Sequence, residues 1–273
     1  MTTSTTKAHP LLTLREHITA LEAAVTLCLA DPSAKPVHRL RTTTRRIEGQ
    51  LAMLSVLPGI PRHKKEAGEA RKVLKKLRRA GGVVRDLDVQ IHLIEGIVAG
   101  RRLRQLKDDS AKLCKDLEEE RKQAAQKLAR ILKKKQKDLA LTLVDLLNAL
   151  KASENYSLPA TELVSITQSW FSNNVPPEPK DSLENPEYLH GVRKVAKLAR
   201  YIAENAPKQA RTPRRLAASF ETLQESGGQW HDWMVLAEIA KKKLGGSSPL
   251  TKALERHNVA SLRAYRKHLR EML

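Results

Sequence analysis

Aromatic side chains make up only 3% of the 273 residues. Modules that grip unpaired bases by stacking them on rings need more, which argues against recognition-motif and oligonucleotide-barrel folds. Cysteine is scarcer still. Cys28 and Cys114 cannot form a disulfide framework, and neither has a cysteine or histidine at metal-ligand spacing, so no metal site or cofactor is expected and a reducing cytoplasm fits best. No apolar run approaches the roughly 20 residues of a membrane span, and Met1 to His9 lacks the basic and apolar regions of a secretory leader. The expectation is a cytoplasmic protein with no membrane partner. Acidic residues are also short: 30 Asp and Glu face 50 Lys and Arg, a formal charge of +20 and a pI near 10.1. So large a surplus points to an anionic partner.

What the chain does have is helical periodicity. Apolar residues recur three and four apart, as in Val37, Leu40, Ile47, Leu51 and Leu54, or Leu139, Leu143, Leu146, Leu147 and Leu150, while period-two alternation is nearly absent. An apolar share of 41% is enough for a packed core. Breakers separate the runs at Asp31-Pro32, Pro58 to Pro61, Gly81-Gly82, Gly100, Pro176 to Pro179, Pro207, Pro213, Gly227-Gly228 and Gly245 to Pro249. The expected fold is all-α. The stretch from about Asn173 to Asn185, rich in Pro, Asn, Ser and Glu, reads as a linker.

Two patterns recur in the same order. His38-x-x-Arg41-x-x-x-Arg45 is answered 152 residues later by His190-x-x-Arg193-x-x-x-Lys197. Leu77-x-x-x-Gly81-Gly82-x-x-Arg85-Asp86-x-x-Val89 is answered 146 residues later by Leu223-x-x-x-Gly227-Gly228-x-x-His231-Asp232-x-x-Val235. An internal duplication is therefore expected, giving two antiparallel helical bundles, residues 1–152 and 153–273. The boundary falls near Leu150 to Ser157.

At about 100° per residue, His38, Arg41 and Arg45 share a roughly 60° arc beside the apolar seam of Val37, Leu40 and Ile47. His190, Arg193, Lys197 and Arg200 occupy the equivalent arc in the second copy, with Tyr201 at its edge. Before the first glycine pair, Arg71, Lys75, Arg78 and, if the helix continues, Arg85 form a second basic stripe. Between Lys35 and Arg85 there are 15 basic residues against Glu48, Glu66 and Glu69. Cations crowded along one seam repel unless a polyanion fills the space between them, which is the physical case for a polyphosphorylated ligand. Lys133 to Lys135 and Lys241 to Lys243 read as ordinary solvated faces. The glycine pairs either end helices or let two helices approach closely. Asp86 and Asp232 either cap a helix or orient Arg85 and His231.

At these residues the sequence resembles the CHAD family, the conserved histidine α-helical domain. The resemblance is carried by His38 to Arg46, by Leu77 to Gly82 with Arg85 to Val89, and by His190 to Tyr201, and it spans about Leu11 to Leu273. It implies an all-α protein of two pseudo-symmetric helical bundles packed around a basic pore or groove that binds inorganic polyphosphate, often on polyphosphate granules. Carried over position by position, it implies a ligand site of His38, Arg41, Arg45 and Arg46 from the first repeat and His190, Arg193, Lys197 and Arg200 from the second. Lys75, Arg78, Arg79 and Arg85 are further expected members. Gly81 and the weaker second motif, Gly228 to Asp232, depart from the pattern and leave His231's part open.

Many such domains are fused to a triphosphate-tunnel domain, whose Glu-x-Glu-x-Lys signature Glu118, Glu120 and Lys122 match literally. That motif works on a strand. Here it lies in a strongly helical run, where positions two apart diverge by about 200°, so the match is set aside. The expected function is noncatalytic polyphosphate binding. Two alternatives stand: a nucleic-acid-binding protein, which the pI suits but no groove-reading motif supports, and a polyphosphate enzyme using His38 or His190, which lacks metal-holding carboxylates and a phosphate-binding loop.

Overall fold

A computed structural model describes residues 6–99 and 103–272. The described residues form eight α-helices: α1 (Pro10–Ala30), α2 (Ala34–Leu54), α3 (Lys64–Val98), α4 (Arg104–Ala149), α5 (Glu162–Asn174), α6 (Pro186–Ala203), α7 (Arg211–Leu244) and α8 (Pro249–Met272). The fold is all-α, as the periodicity predicts. A single antiparallel pairing of two short strands, β1 (Lys7–Ala8) and β2 (Leu158–Pro159), ties the segment before α1 to the one before α5. Sequence gives no hint of it, because two residues carry no period.

Each helix exists because one stripe of it is buried. On α3, Ala67, Ala70, Leu74, Leu77, Gly81 and Val84 recur at three and four residues and are buried. The 46-residue α4 is built largely from Ala, Leu, Glu, Lys, Gln and Arg, all strong helix formers. Its stripe splits between two apolar cores. Leu106, Leu113 and Leu117 join the C-terminal part of α3, the end of α7 and the start of α8, while Leu128, Leu132, Leu139 and Leu143 join α1, α2 and the first part of α3. A third core gathers Phe171, Val192, Ala196, Phe220, Leu223 and Tyr265 from α5 to α8. The Glu118 to Lys122 stretch is α-helical within α4, and Glu120 pairs with Lys243 of α7 at 2.8 Å.

Most expected breakers fall between helices, including the loop between Asn174 and Pro186, where the Asn185 side chain caps α6 by accepting from the Glu187 and Tyr188 amides at 3.0 Å. Gly100 lies outside the described residues. Three expectations need correction. Gly81-Gly82 and Gly227-Gly228 sit in the middle of α3 and α7, and Pro213 is the third residue of α7. Proline is tolerated there because a helix's first amides have no intrahelical acceptor to lose. The glycine pairs are tolerated because neighbouring helices are close, and that closeness shapes the site.

Candidate functional site

The helices that carry the two histidine motifs, α2 and α6, lie against each other. At their crossing a Cβ on Gly49 would stand 2.6 Å from Tyr201 Cβ, so only glycine permits this approach. α3 packs on α2, α7 packs on α6, and α3 meets α7 where Arg85 makes a two-pronged pair with Asp232 at 3.0 and 3.1 Å. These four helices surround a cavity of about 970 Å³. Thr43 and Thr44 keep α2 apolar on its core side by turning their hydroxyls back onto the carbonyls of Arg39 and Arg41, at 2.7 and 2.8 Å.

The glycine pairs make room for the arginines. A Cβ on Gly82 would lie 2.6 Å from Arg41 Nη1, and one on Gly227 would lie 3.3 Å from Arg193 Cδ and within 2.9 Å of the Tyr265 ring. Arg41 therefore lies across the waist of α3, donating from Nη1 to the Arg78 carbonyl at 3.2 Å. Arg193 lies across α7, with its Nε buried and unpartnered. Tyr265 braces α6 from behind by donating to the Leu189 carbonyl at 2.8 Å.

Nine guanidinium or ammonium groups line the cavity against four carboxylates, Asp86, Glu221, Glu225 and Asp232. Three of the four are already engaged: Asp86 and Asp232 with Arg85, and Glu221 with Arg200 at 2.6 Å. Arg78 is tied to Glu48 and Arg200 also to Glu204. Those pairs leave Arg41, Arg45, Arg193 and Lys197 without a carboxylate among the described residues.

Crowding shows in the titration of these groups. Burial, then Arg45, Arg193, Arg41 and Arg85 in that order, push the Lys197 ammonium down to about 6. Burial, with Arg78 and Arg41, lowers Arg45 to about 10. Burial and then Arg193 hold His190 down to about 4, while His38 and His231 are lowered for the same reasons, Arg85 acting on the first and Arg193 on the second. The His190 and His231 rings stand 5.0 Å apart, and His231 Nδ1 is buried without a partner. Among the cavity's arginines Arg85 and Arg200 are raised: burial is the largest single effect and lowers both, but hydrogen bonds and charge attraction from Asp232 and Asp86, or from Glu204 and Glu221, together outweigh it. The protein thus holds a pocket of cations that its own carboxylates do not neutralise.

A model of the CHAD domain matches residues 12–241. The chain belongs to the CHAD domain family. Solved structures that share the fold include PptA from Streptomyces chartreusis and the CHAD domain from the plant Ricinus communis. The first is 13% identical, with 96% of this chain and 98% of that one covered at a TM-score of 0.65. The second is 16% identical, with 100% and 95% covered at a TM-score of 0.63. No curated protein matches the sequence.

Within this CHAD domain, His38, Arg41, Arg45, Arg78, Arg79, Arg85, His190, Arg193, Lys197 and Arg200 all line the one cavity. Arg46 and Lys75 do not. Arg46 is one residue, and so about 100°, past Arg45; its exposed side chain faces Glu204 at 3.7 Å. Lys75 lies a turn before Arg78, exposed and beyond the cavity's end. His231, left open by its weaker motif, is in the lining, and so are Thr42, Lys194, Glu221, Gln224 and Glu225. The α7 members were findable by sliding the basic stripe of α3 along by 146 residues. A search for cations alone passes over them.

Proposed function

We propose that this CHAD domain is a noncatalytic receptor for inorganic polyphosphate, held in the cavity between α2, α3, α6 and α7, which acts as a basic pore in the cytoplasm or on polyphosphate granules. The observation that carries the reading is the set of Arg41, Arg45, Arg193 and Lys197, three arginines and a lysine recessed on two abutting helices with no carboxylate to pair with among the described residues. Phosphate oxygens would supply the acceptors these groups lack. Arginine gives paired donors to each phosphate, and lysine gives point charge. Arg193 Nε, buried and unpartnered, is a donor awaiting the same kind of acceptor, and protonation of His231 on binding would make its buried, unpartnered Nδ1 another. The engagement of Asp86, Asp232 and Glu221 in ion pairs supports binding over catalysis, since they are committed to holding arginines in place.

Replacing Arg41 and Arg193 together by Ala tests the assignment. Two charge-assisted contacts removed at the cavity's centre should weaken polyphosphate binding by about a hundredfold or more. Circular dichroism and melting temperature should show the fold intact, because like-charged neighbours are being removed. Unchanged affinity in a folded variant would refute this site.

A further inference from the structure

The 146-residue offset that aligns the glycine pairs also aligns the basic stripe of α3 with its counterpart on α7, where the positive charge is inverted at two positions and lost at two. Lys75, Arg78, Arg79 and Arg85 of α3 correspond to Glu221, Gln224, Glu225 and His231 of α7, while the aspartate is kept at both Asp86 and Asp232. Every lysine and arginine of the lining comes from α2, α3 or α6 and none from α7, whereas three of the four carboxylates come from α7. The pore is therefore a basic trough with one acidic wall. Arg79 and Glu225 are exposed, and Arg41, Arg45, Arg193 and Lys197 are recessed.

We infer that Glu225, with Glu221 beneath it, is a specificity-determining residue that rejects polyanions too wide to stay on the basic side of the pore, duplex nucleic acid above all. This rests on the proposed polyphosphate site. A single phosphate chain can follow the recessed cations of α2 and α6 and keep clear of α7. A duplex is too broad to descend between the helices, so it meets the exposed residues of both walls at once, Arg79 on one side and Glu225 on the other. Juxtaposing its phosphates with Glu225 is repulsive, and that repulsion falls on the wide ligand more than on the thin one. Glu221 is partly neutralised by Arg200 and Asp232 by Arg85, which leaves Glu225 as the wall's one carboxylate without an ion pair among the described residues.

The test is Glu225→Arg, which gives α7 the residue that α3 has at the matching position, compared with Glu238→Arg, the same charge change at an exposed α7 site outside the cavity. Titrations with medium-chain polyphosphate and with duplex DNA give each variant's affinity ratio. The expected result is a fall of about tenfold or more in preference for polyphosphate over duplex with Glu225→Arg, and a salt slope for duplex binding steeper by about one. Glu238→Arg should leave the ratio near that of the unaltered protein. An equal gain for both ligands with Glu225→Arg, or the same loss of preference with Glu238→Arg, would overturn the inference. If the unaltered protein binds no polyphosphate, the proposed function itself fails, a result distinct from an unchanged ratio.

Discussion

Binding should be coupled to proton uptake at Lys197. In the free protein its ammonium titrates near 6, against an ordinary 10.5, because it is recessed among Arg41, Arg45, Arg85 and Arg193. At pH 7 such a group is charged in about one molecule in ten. A phosphate chain placed among the same arginines reverses the balance, returning the lysine toward its ordinary value. Each binding event at pH 7 should then take up about 0.9 proton, and affinity should fall by about 50-fold between pH 6 and pH 8. The sign follows from the free value being the depressed one: the bound state holds more protons, so acid favours binding. His38, His190 and His231, also lowered, add to the trend in the same direction. Calorimetry at matched ionic strength, in buffers of different ionisation enthalpy, reads affinity and proton count together. Lys197→Arg, which cannot deprotonate, should bind at both pH values and lose most of the dependence. Affinities equal within about twofold at pH 6 and pH 8, with no proton uptake, would refute the reasoning.

Two glycine substitutions should part stability from binding. Gly49→Ala forces a methyl against Tyr201 Cβ, held close to the α6 backbone, so the helices must separate; a loss of about 1–3 kcal/mol in denaturant titration is expected. Gly82→Ala meets only the far end of Arg41, which can swing aside, and alanine favours the helix by up to about 1 kcal/mol. Its melting temperature should hold or rise while its polyphosphate affinity falls. In the free protein His17 and His190 are both held near 4, below an ordinary 6.5. The unfolded chain binds protons there first, so melting temperature should drop as pH falls from 6.5 toward 4, and bound polyphosphate should lessen the drop.

Much of this was legible in the sequence because one signal serves two purposes. The spacing that buries Val37, Leu40 and Ile47 also fixes where His38, Arg41 and Arg45 point, so the site follows from the helix. Recurrence of that spacing at His190 located the second half of the lining. Of the two readings of the glycine pairs, close approach holds at Gly82 and Gly227 and helix termination does not, because glycine's weak helix propensity is a local preference that close packing overrides. Arg46 and Lys75 were carried over by motif and by stripe, neither of which says where a cavity ends. Glu221, Gln224 and Glu225 went unread because a search for cations does not ask what stands opposite them. The Arg85–Asp232 pair joins residues 147 apart and has no local signature.

The most direct test of the account is a calorimetric titration of the purified protein with medium-chain polyphosphate at near-physiological salt, with RNA and duplex DNA at equal phosphate concentration as competitors. Submicromolar binding that neither nucleic acid displaces is the predicted result. Weak binding, or ready displacement by nucleic acid, would contradict it and reduce the cavity to part of a generally basic surface.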